Sequence, residues 1–151
     1  MAMKAAGAVR EKYPVGLLMG VFDLFHVGHL NLIERAKAHC DYLRVGVLSD
    51  ELVYRFKNKH PIIPQAERMR ILEAIRYVDE VVAIDREEDV SRLEEWKRRP
   101  FDCFFSGDDY MDNPYWNWER EELAKLGVDV VFFPYTQSQS SSKIRNALRE
   151  E

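Results

Sequence analysis

Cysteine is scarce in this sequence, and long apolar runs are absent from it. Cys40 and Cys103 are the only cysteines in 151 residues, and they form neither a CxxC pair nor a metal-type spacing. This pattern excludes a disulfide scaffold and favours buried thiols in a reducing compartment. The apolar runs fall far short of the roughly 20 residues that span a bilayer. The N-terminal apolar run is too short for a secretory signal, so we expect a cytoplasmic protein.

The sequence also lacks an excess of positive charge. Its 22 Lys and Arg residues and 26 Asp and Glu residues give a net charge of −4. This balance argues against a protein held on nucleic acid by phosphate neutralisation, but it allows a small basic site for an anionic metabolite. Neither GxGxxG nor the P-loop motif occurs, so dinucleotide oxidoreductases and P-loop NTPases lose their main sequence support.

Short apolar runs alternate with longer amphipathic segments along the chain. The apolar runs predict strands at residues 16–19, 42–48, 81–84, 103–105 and 128–133. Continuous apolar strands between helices indicate a parallel sheet that is buried on both faces. We therefore expect an α/β fold, with a Rossmann-like parallel five-stranded sheet and helices on both faces. The chain length favours one domain, residues 15–151, after an N-terminal extension of residues 1–14.

Five helices are predicted between and after these strands. The first has Leu32, Ile33, Ala36 and Cys40 on one face, and the others cover residues 65–76, 87–98, 114–126 and 141–149. Gly127 is placed to end the fourth helix. The polar stretch of residues 55–60 is predicted to be a mobile basic loop.

The segment of residues 20–29, GVFDLFHVGH, stands where the first strand meets the first helix. Ligands of open α/β sheets bind at this carboxyl edge, and helix N-termini attract anions. Two histidines at this place can donate hydrogen bonds to phosphate oxygens. Two ordinary loop histidines are the alternative. A zinc site would need a third ligand, for which Asp23 is the nearby candidate, and the HExxH spacing of helical zinc sites is missing.

This segment resembles the signature of the HxGH nucleotidyltransferase superfamily, in its cytidylyltransferase branch, and is most similar to glycerol-3-phosphate cytidylyltransferases. The resemblance extends over residues 17–147 and includes residues 32–51, 67–82, 106–109 and 140–144. It implies a Rossmann-like fold, a homodimer, and a reaction that uses Mg²⁺. In that reaction CTP and a phosphorylated alcohol give a CDP-alcohol and pyrophosphate.

The resemblance also implies roles for individual residues. His26, His29 and Lys57 are the implied catalytic residues. The implied nucleotide-binding residues are Val21, Phe22, Asp23, Gly28, Gly107, Asp108, Thr136, Ser140, Ser141 and Ser142. The implied substrate-binding residues are Lys59, Arg68, Arg76 and Asp79, and no metal ligand is identified. Arg68 could instead support the residues that bind phosphate, and Arg76 and Asp79 could instead lie at a subunit contact. Simpler alternatives are a solvated basic loop for the two lysines, a surface ion pair for Arg76 and Asp79, an ordinary turn at Gly107, and helix capping by the serines.

The sequence departs from the family pattern at several positions. Val21 replaces a threonine, Tyr135 replaces an arginine and Ser138 replaces a glycine. We expect either that Lys143 or Arg145 compensates for the missing arginine or that nucleotide affinity is weak. An aromatic group between Tyr110 and Trp118 is a candidate for contact with the alcohol. These departures leave open another phospho-alcohol or sugar phosphate, adenylyl transfer from ATP, and a non-catalytic nucleotide-binding module.

Overall fold

The computed structural model describes residues 3–4, 12–107, 114–134 and 140–149. Its strands are β1 (Met3–Lys4), β2 (Tyr13–Gly20), β3 (Cys40–Leu48), β4 (Glu80–Ile84), β5 (Cys103–Gly107) and β6 (Asp129–Phe133). Its α-helices are α1 (Val27–Ala38), α2 (Asp50–Lys57), α3 (Gln65–Glu73), α4 (Arg92–Arg98), α5 (Pro114–Lys125) and α6 (Ser141–Arg149). A short 3₁₀ helix covers Glu87–Val90.

The strands form one sheet in the order β1-β6-β5-β2-β3-β4. The five strands β2 to β6 are parallel, which confirms the predicted sheet. The two-residue β1 adds an antiparallel edge to β6, and it lies in the segment that we expected to be an extension before the domain. Strand order reverses between β2 and β5, so the carboxyl ends of these strands form the crevice where ligands of such sheets bind.

Helices cover both faces of the sheet, as predicted. Adjacent strand residues point to opposite faces, so Leu18 and Phe105 pack in one core cluster with residues of α1 and α3. Leu17 and Phe104 pack in the other cluster, with Trp116 of α5 and residues of α4. None of the described helices is long and apolar enough to cross a membrane.

The structure differs from the predicted elements at three places. Residues 50–57 form the helix α2, where the sequence analysis placed part of a loop, because Ser49 caps it and Leu52 and Val53 are buried. Cys40 begins β3 and does not continue the face of α1. The predicted helix of residues 87–98 is divided at Ser91, which caps α4 by accepting from the Glu94 N–H.

Candidate active site

The loop between β2 and α1 has an unusual backbone. Phe22 and Leu24 have φ values of 55° and 51°, in the left-handed region that residues other than glycine rarely adopt. Between them, the buried Asp23 accepts hydrogen bonds from the N–H groups of Ile62 and Ile63 at 2.8 and 3.0 Å. These bonds hold the strained loop in place at the carboxyl edge of the sheet.

His26 and His29 form a capping box at the start of α1. His26 Nδ1 accepts from the Gly28 N–H at 3.0 Å, and His29 Nδ1 accepts from the His26 N–H at 3.3 Å. The two rings stack with centroids 3.9 Å apart. Because both Nδ1 atoms accept, each neutral imidazole carries its proton on Nε2, which is left to donate to a ligand. The Gly28 N–H is used within this cap.

Burial keeps both imidazoles neutral. It lowers the pKa of His29 to about 4, with a further lowering by the nearby His26 and a smaller opposing effect of Asp23. Burial also lowers the pKa of His26. The pair therefore presents two uncharged Nε2–H donors near neutral pH.

Asp23 also joins the loop to α6. Its Oδ2 pairs with the guanidinium of Arg145 at 2.9 Å, and its carbonyl oxygen accepts from the Ser141 hydroxyl at 2.6 Å. Ser140 caps α6 by accepting from the Lys143 N–H at 3.0 Å. Of the three predicted serines, Ser141 thus holds the start of α6 against the loop, and Ser140 caps the helix.

The cleft has two adjoining lobes. The basic lobe, about 470 Å³, is lined by Val21, Phe22, Asp23, Lys57, Lys59, His60 and Arg145, among other residues. The apolar lobe, about 490 Å³, is lined by Leu18, His26, Gly28, Arg35, Phe105, Gly107, Phe133 and Ser140, among other residues. Both lobes are lined by Met19, His29, Leu32, Lys57, Ser141 and Ser142, so they meet beside the imidazole of His29.

The structure divides the predicted nucleotide-binding residues between these lobes. Gly28, Gly107 and Ser140 line the apolar lobe, whereas Val21, Phe22 and Asp23 line the basic lobe.

Lys57 ends α2 and Lys59 follows the left-handed Asn58. Both lysines are exposed, and neither makes an ion pair or hydrogen bond with another described residue. The cleft therefore holds two cations that are available to an anionic ligand.

Arg68 connects the chain segments that form the cleft. Its side chain is completely buried and donates to the carbonyl oxygens of Ile63, Val21 and Leu48 at 2.7 to 3.0 Å. Its remaining nitrogen pairs with Asp50 at 2.5 Å. These partners use the guanidinium and leave it no exposed surface, so of the two predicted roles the structure favours support of the site over contact with the substrate. Arg68 positions the ends of β2 and β3 and the start of α2.

Arg76 and Asp79 are not brought into the cleft. Asp79 precedes β4, at the amino edge of the sheet, and so lies at the opposite end from the two lobes. Its carboxylate pairs with Lys37 at 2.7 Å and accepts from the Leu43 N–H at 2.8 Å. Arg76 is exposed and donates to the Tyr77 hydroxyl. Within this chain, therefore, neither residue reaches the cleft, and the two do not form the ion pair with each other that was the alternative.

Some predicted residues lie outside the described part of the chain: Asp108, Tyr110, Thr136, Tyr135 and Ser138. Of the described aromatic residues near them, Trp116 is buried against Phe104. Tyr115 and Trp118 are exposed and line neither lobe.

Two further cations line the cleft: Arg35, which was missing from the predicted site, and Arg145, which was named only as one candidate to replace the missing arginine. Arg35 lines the apolar lobe and donates to the Pro134 carbonyl at 3.3 Å, and Arg145 lines the basic lobe. Arg145 had a signal in the sequence, because it stands one helical turn after Ser141 and shares its face. Arg35 had no such signal in the sequence, because the helix turn that contains it has a pattern typical of a solvent-facing turn.

The described residues do not fit a magnesium ion held by the protein itself. No group of three or more potential metal-ligating side chains occurs among them. Asp23, the carboxylate of the cleft, has both oxygens engaged by backbone N–H groups and Arg145. Mg²⁺ usually binds through one or two carboxylates together with substrate phosphates, and Asp23 has no oxygen left for it.

Comparison with known proteins identifies the family. A family model described as cytidylyltransferase-like matches residues 17–147. The glycerol-3-phosphate cytidylyltransferase of Bacillus subtilis (strain 168) is 36% identical over 130 residues, which are 85% of this chain and 92% of that protein. The FAD synthase of Pyrococcus abyssi (strain GE5 / Orsay) is 35% identical over 144 residues, 95% of this chain and 94% of that protein.

The fold is shared with solved structures as well. The lipopolysaccharide core biosynthesis protein from Thermoplasma volcanium GSS1 superposes with a TM-score of 0.66 at 23% identity, over 84% of this chain and 99% of that one. At this identity the likeness shows the fold alone. The family match, which covers most of the chain, confirms the resemblance seen in the HxGH segment: the chain belongs to the cytidylyltransferase-like family of HxGH nucleotidyltransferases.

Proposed function

We propose that this protein transfers CMP from CTP to a phosphorylated alcohol, with glycerol 3-phosphate as the first acceptor to test. The observation that carries the proposal is the neutral His26–His29 pair, with both Nε2–H groups free to donate, at the junction of a basic and an apolar lobe. The Bacillus subtilis relative, a glycerol-3-phosphate cytidylyltransferase, supports the nucleotide and the acceptor.

The proposed reaction is an in-line displacement at the α-phosphorus. A phosphate oxygen of the acceptor forms the new P–O bond, and the bond to the bridging oxygen of the β-phosphate breaks. The electron pair of that bond leaves with pyrophosphate, so no protein nucleophile is required. Negative charge grows on the oxygens around the α-phosphorus, where preorganised donors such as the two Nε2–H groups stabilise it most.

The two lobes suit two different substrates. The apolar lobe has space for a nucleoside beside Leu32, Gly107 and Ser142. The basic lobe offers Lys57 and Lys59 to the phosphate of the acceptor. Placing one substrate in each lobe brings the acceptor oxygen and the α-phosphorus together beside His29, which supplies the positioning that such a displacement needs.

Magnesium, in this proposal, enters as part of the nucleotide. The described residues that line the two lobes offer no vacant carboxylate, so phosphate oxygens and waters would be its ligands. A triphosphate that carries Mg²⁺ presents less negative charge to the cleft. The chain's own residues would position it through hydrogen bonds and through Lys57.

A second candidate is transfer of AMP from ATP to FMN. The Pyrococcus abyssi relative supports it, since that protein is named FAD synthase and matches 95% of this chain. The chemistry at phosphorus is the same, and FMN is also a phosphorylated alcohol. The two candidates differ in the base held in the apolar lobe and in the length of the acceptor.

A screen for pyrophosphate release tests both candidates. CTP and ATP are each combined with glycerol 3-phosphate, ethanolamine phosphate, choline phosphate and FMN in the presence of Mg²⁺. The proposal expects release with CTP and a phosphorylated alcohol, and release with ATP and FMN would establish the second candidate. Stabilisation by a nucleotide without product from any pair would reject both and indicate a nucleotide-binding module.

A further inference from the structure

A third concave surface adjoins the basic lobe. This outer groove, about 370 Å³, is lined by Lys59, His60, Ile62, Arg145, Leu148 and Arg149. It shares Lys59, His60 and Arg145 with the basic lobe, so a molecule in the lobe can continue into the groove without leaving the protein surface. None of its residues lines the apolar lobe.

The groove carries positive charge that the described residues do not balance. Lys59 and Arg149 make no ion pair with another described residue. Asp23 is the acidic partner of Arg145, and its carboxylate is already shared with the N–H groups of Ile62 and Ile63. A row of three cations therefore extends outward from the basic lobe to Arg149.

The groove also has apolar walls. Ile62 and Leu148 leave 52% and 60% of their surface exposed. They flank a groove whose other residues are His60 and the three cations. Small-molecule sites combine apolar contact surface with a few polar groups that fix orientation, and this groove has that composition.

We propose that the outer groove holds the far end of the acceptor, which is a phosphate monoester longer than glycerol 3-phosphate. The inference rests on the proposed function and narrows its substrate class. The phosphate of the acceptor binds Lys57 and Lys59, and its chain passes Arg145. The far end then places an apolar face on Ile62 and Leu148 and presents hydrogen-bond acceptors to Arg149. A three-carbon acceptor would end within the basic lobe and would not reach these side chains.

The test uses acceptors with the same phosphate group and different lengths. Binding of glycerol 3-phosphate, ribose 5-phosphate and FMN to the full chain is measured by calorimetry, and KM is measured for every acceptor that reacts. The variants are Arg149→Gln and Leu148→Ser. Matched controls are Arg70→Gln, an exposed arginine of α3, and Leu126→Ser, 44% exposed after α5, since neither residue lines a lobe or the groove.

The proposal expects FMN to bind more tightly than glycerol 3-phosphate. Arg149→Gln should weaken FMN binding roughly three- to fivefold, the scale of a solvent-exposed charge contact, and leave the binding of glycerol 3-phosphate and the kcat unchanged. Leu148→Ser should also weaken only FMN. Equal effects of Arg149→Gln and Arg70→Gln on FMN, or tighter binding of glycerol 3-phosphate than of the longer monoesters, would overturn the inference.

These outcomes separate the groove from the reaction. FMN binding that depends on Arg149, without product from any nucleotide, would reject the proposed function and keep the groove as a binding site. Turnover of glycerol 3-phosphate with binding of every longer monoester unaffected by both variants would keep the proposed function and reject the groove.

Discussion

At the residue scale, His26 combines two roles that can be separated. Its Nδ1 caps α1 by accepting from the Gly28 N–H, and its Nε2–H remains for a phosphate. His26→Asn keeps a cap, because an asparagine oxygen also accepts from the first helical turn, but it removes the Nε2 donor. We expect its turnover to fall at least about 10²-fold, the scale for losing a preorganised transition-state donor, with stability nearly unchanged.

His26→Ala should show the same loss of turnover together with a loss of about 1 kcal/mol in the free energy of unfolding, because the cap is removed too. Pyrophosphate-release kinetics and urea unfolding of both variants measure the two roles. A His26→Asn enzyme with nearly wild-type turnover would contradict the assignment of this imidazole to the reaction.

Arg35 carries the second prediction at this scale. It and Lys57 are the cations that line the apolar lobe in the described part of the chain. Arg145, which we expected to compensate for the arginine missing at Tyr135, pairs with Asp23 in the basic lobe, and Lys143 lines neither lobe. Arg35 donates to the Pro134 carbonyl, one residue before that position. Arg35→Gln should therefore weaken CTP binding about tenfold, the scale of a hydrogen bond to a charged group.

Calorimetry with CTP measures this effect, with Arg70→Gln as the control for loss of an exposed arginine. The double variant Arg35→Gln, Tyr135→Arg adds a sharper test. If Arg35 replaces the family arginine, the new arginine should restore much of the lost affinity. Unchanged CTP binding in Arg35→Gln would show that this side chain faces solvent in the complex.

At the element scale, α2 shows why part of the site escaped prediction. Ser49 followed by Asp50 and Glu51 is a sequence signature of a helix start, but the basic residues that follow resemble a solvated loop. The helix is stabilised by the burial of Leu52 and Val53, and that burial depends on tertiary contacts. As a result Lys57 lies on a helix end and only residues 58–60 connect it to Pro61.

This geometry localises the expected closure over phosphates. The last turn of α2 and residues 58–60 carry the two unpaired lysines, and α2 begins at a cap, Ser49, that lines neither lobe. Saturating CTP with Mg²⁺ should slow amide hydrogen exchange in residues 55–60 and leave residues 50–52 unchanged, because active-site segments order around their ligand. Mass spectrometry of peptides from this region measures it. Equal exchange with and without nucleotide would contradict a closing role.

Arg68 supplies the second prediction for these elements. It joins β2, β3, α2 and the loop at Ile63 through four hydrogen bonds from a fully buried side chain. Arg68→Met fills a similar volume but leaves three carbonyl oxygens and Asp50 without this donor. The free energy of unfolding should fall by about 3 kcal/mol or more, the scale for breaking a buried charged network. Urea unfolding measures the loss, and a change below about 1 kcal/mol would show that water replaces the guanidinium.

At the scale of the whole molecule, the fold was predictable because its signals are redundant. Five apolar runs between amphipathic segments require a parallel sheet, and shifted boundaries such as the end of α3 do not change that outcome. The site depends on single contacts. The left-handed backbone of Phe22 and Leu24 and the burial of Arg68 follow from tertiary packing, and the resemblance places such residues near a site without distinguishing a ligand contact from a support.

The last prediction concerns how the free energy of unfolding depends on pH. Unfolding of the whole chain exposes the buried imidazoles, so its free energy depends on their protonation. His29 has a pKa near 6.5 when unfolded and about 4 when folded. Between these values the unfolded chain binds more protons than the native one, so the free energy of unfolding falls as the pH falls from 6.5 towards 4. The loss reaches at most about 3 kcal/mol, and the lowered pKa of His26 acts in the same direction.

Carboxylates with lowered pKa values, such as Asp79 and Glu80, begin to lose their contribution only as the pH approaches their own unfolded values of 3.8 and 4.5. The range from pH 6.5 to 5 therefore isolates the histidines. Urea unfolding at steps of half a pH unit should show the decline in the wild type and a flatter curve in His29→Asn, whose deficit at pH 7.5 should shrink as the pH falls. Titration of His29 by ¹⁵N NMR fixes the cause: a midpoint near 6.5 would mean that the ring is solvated and that the neutral donor pair does not persist in solution.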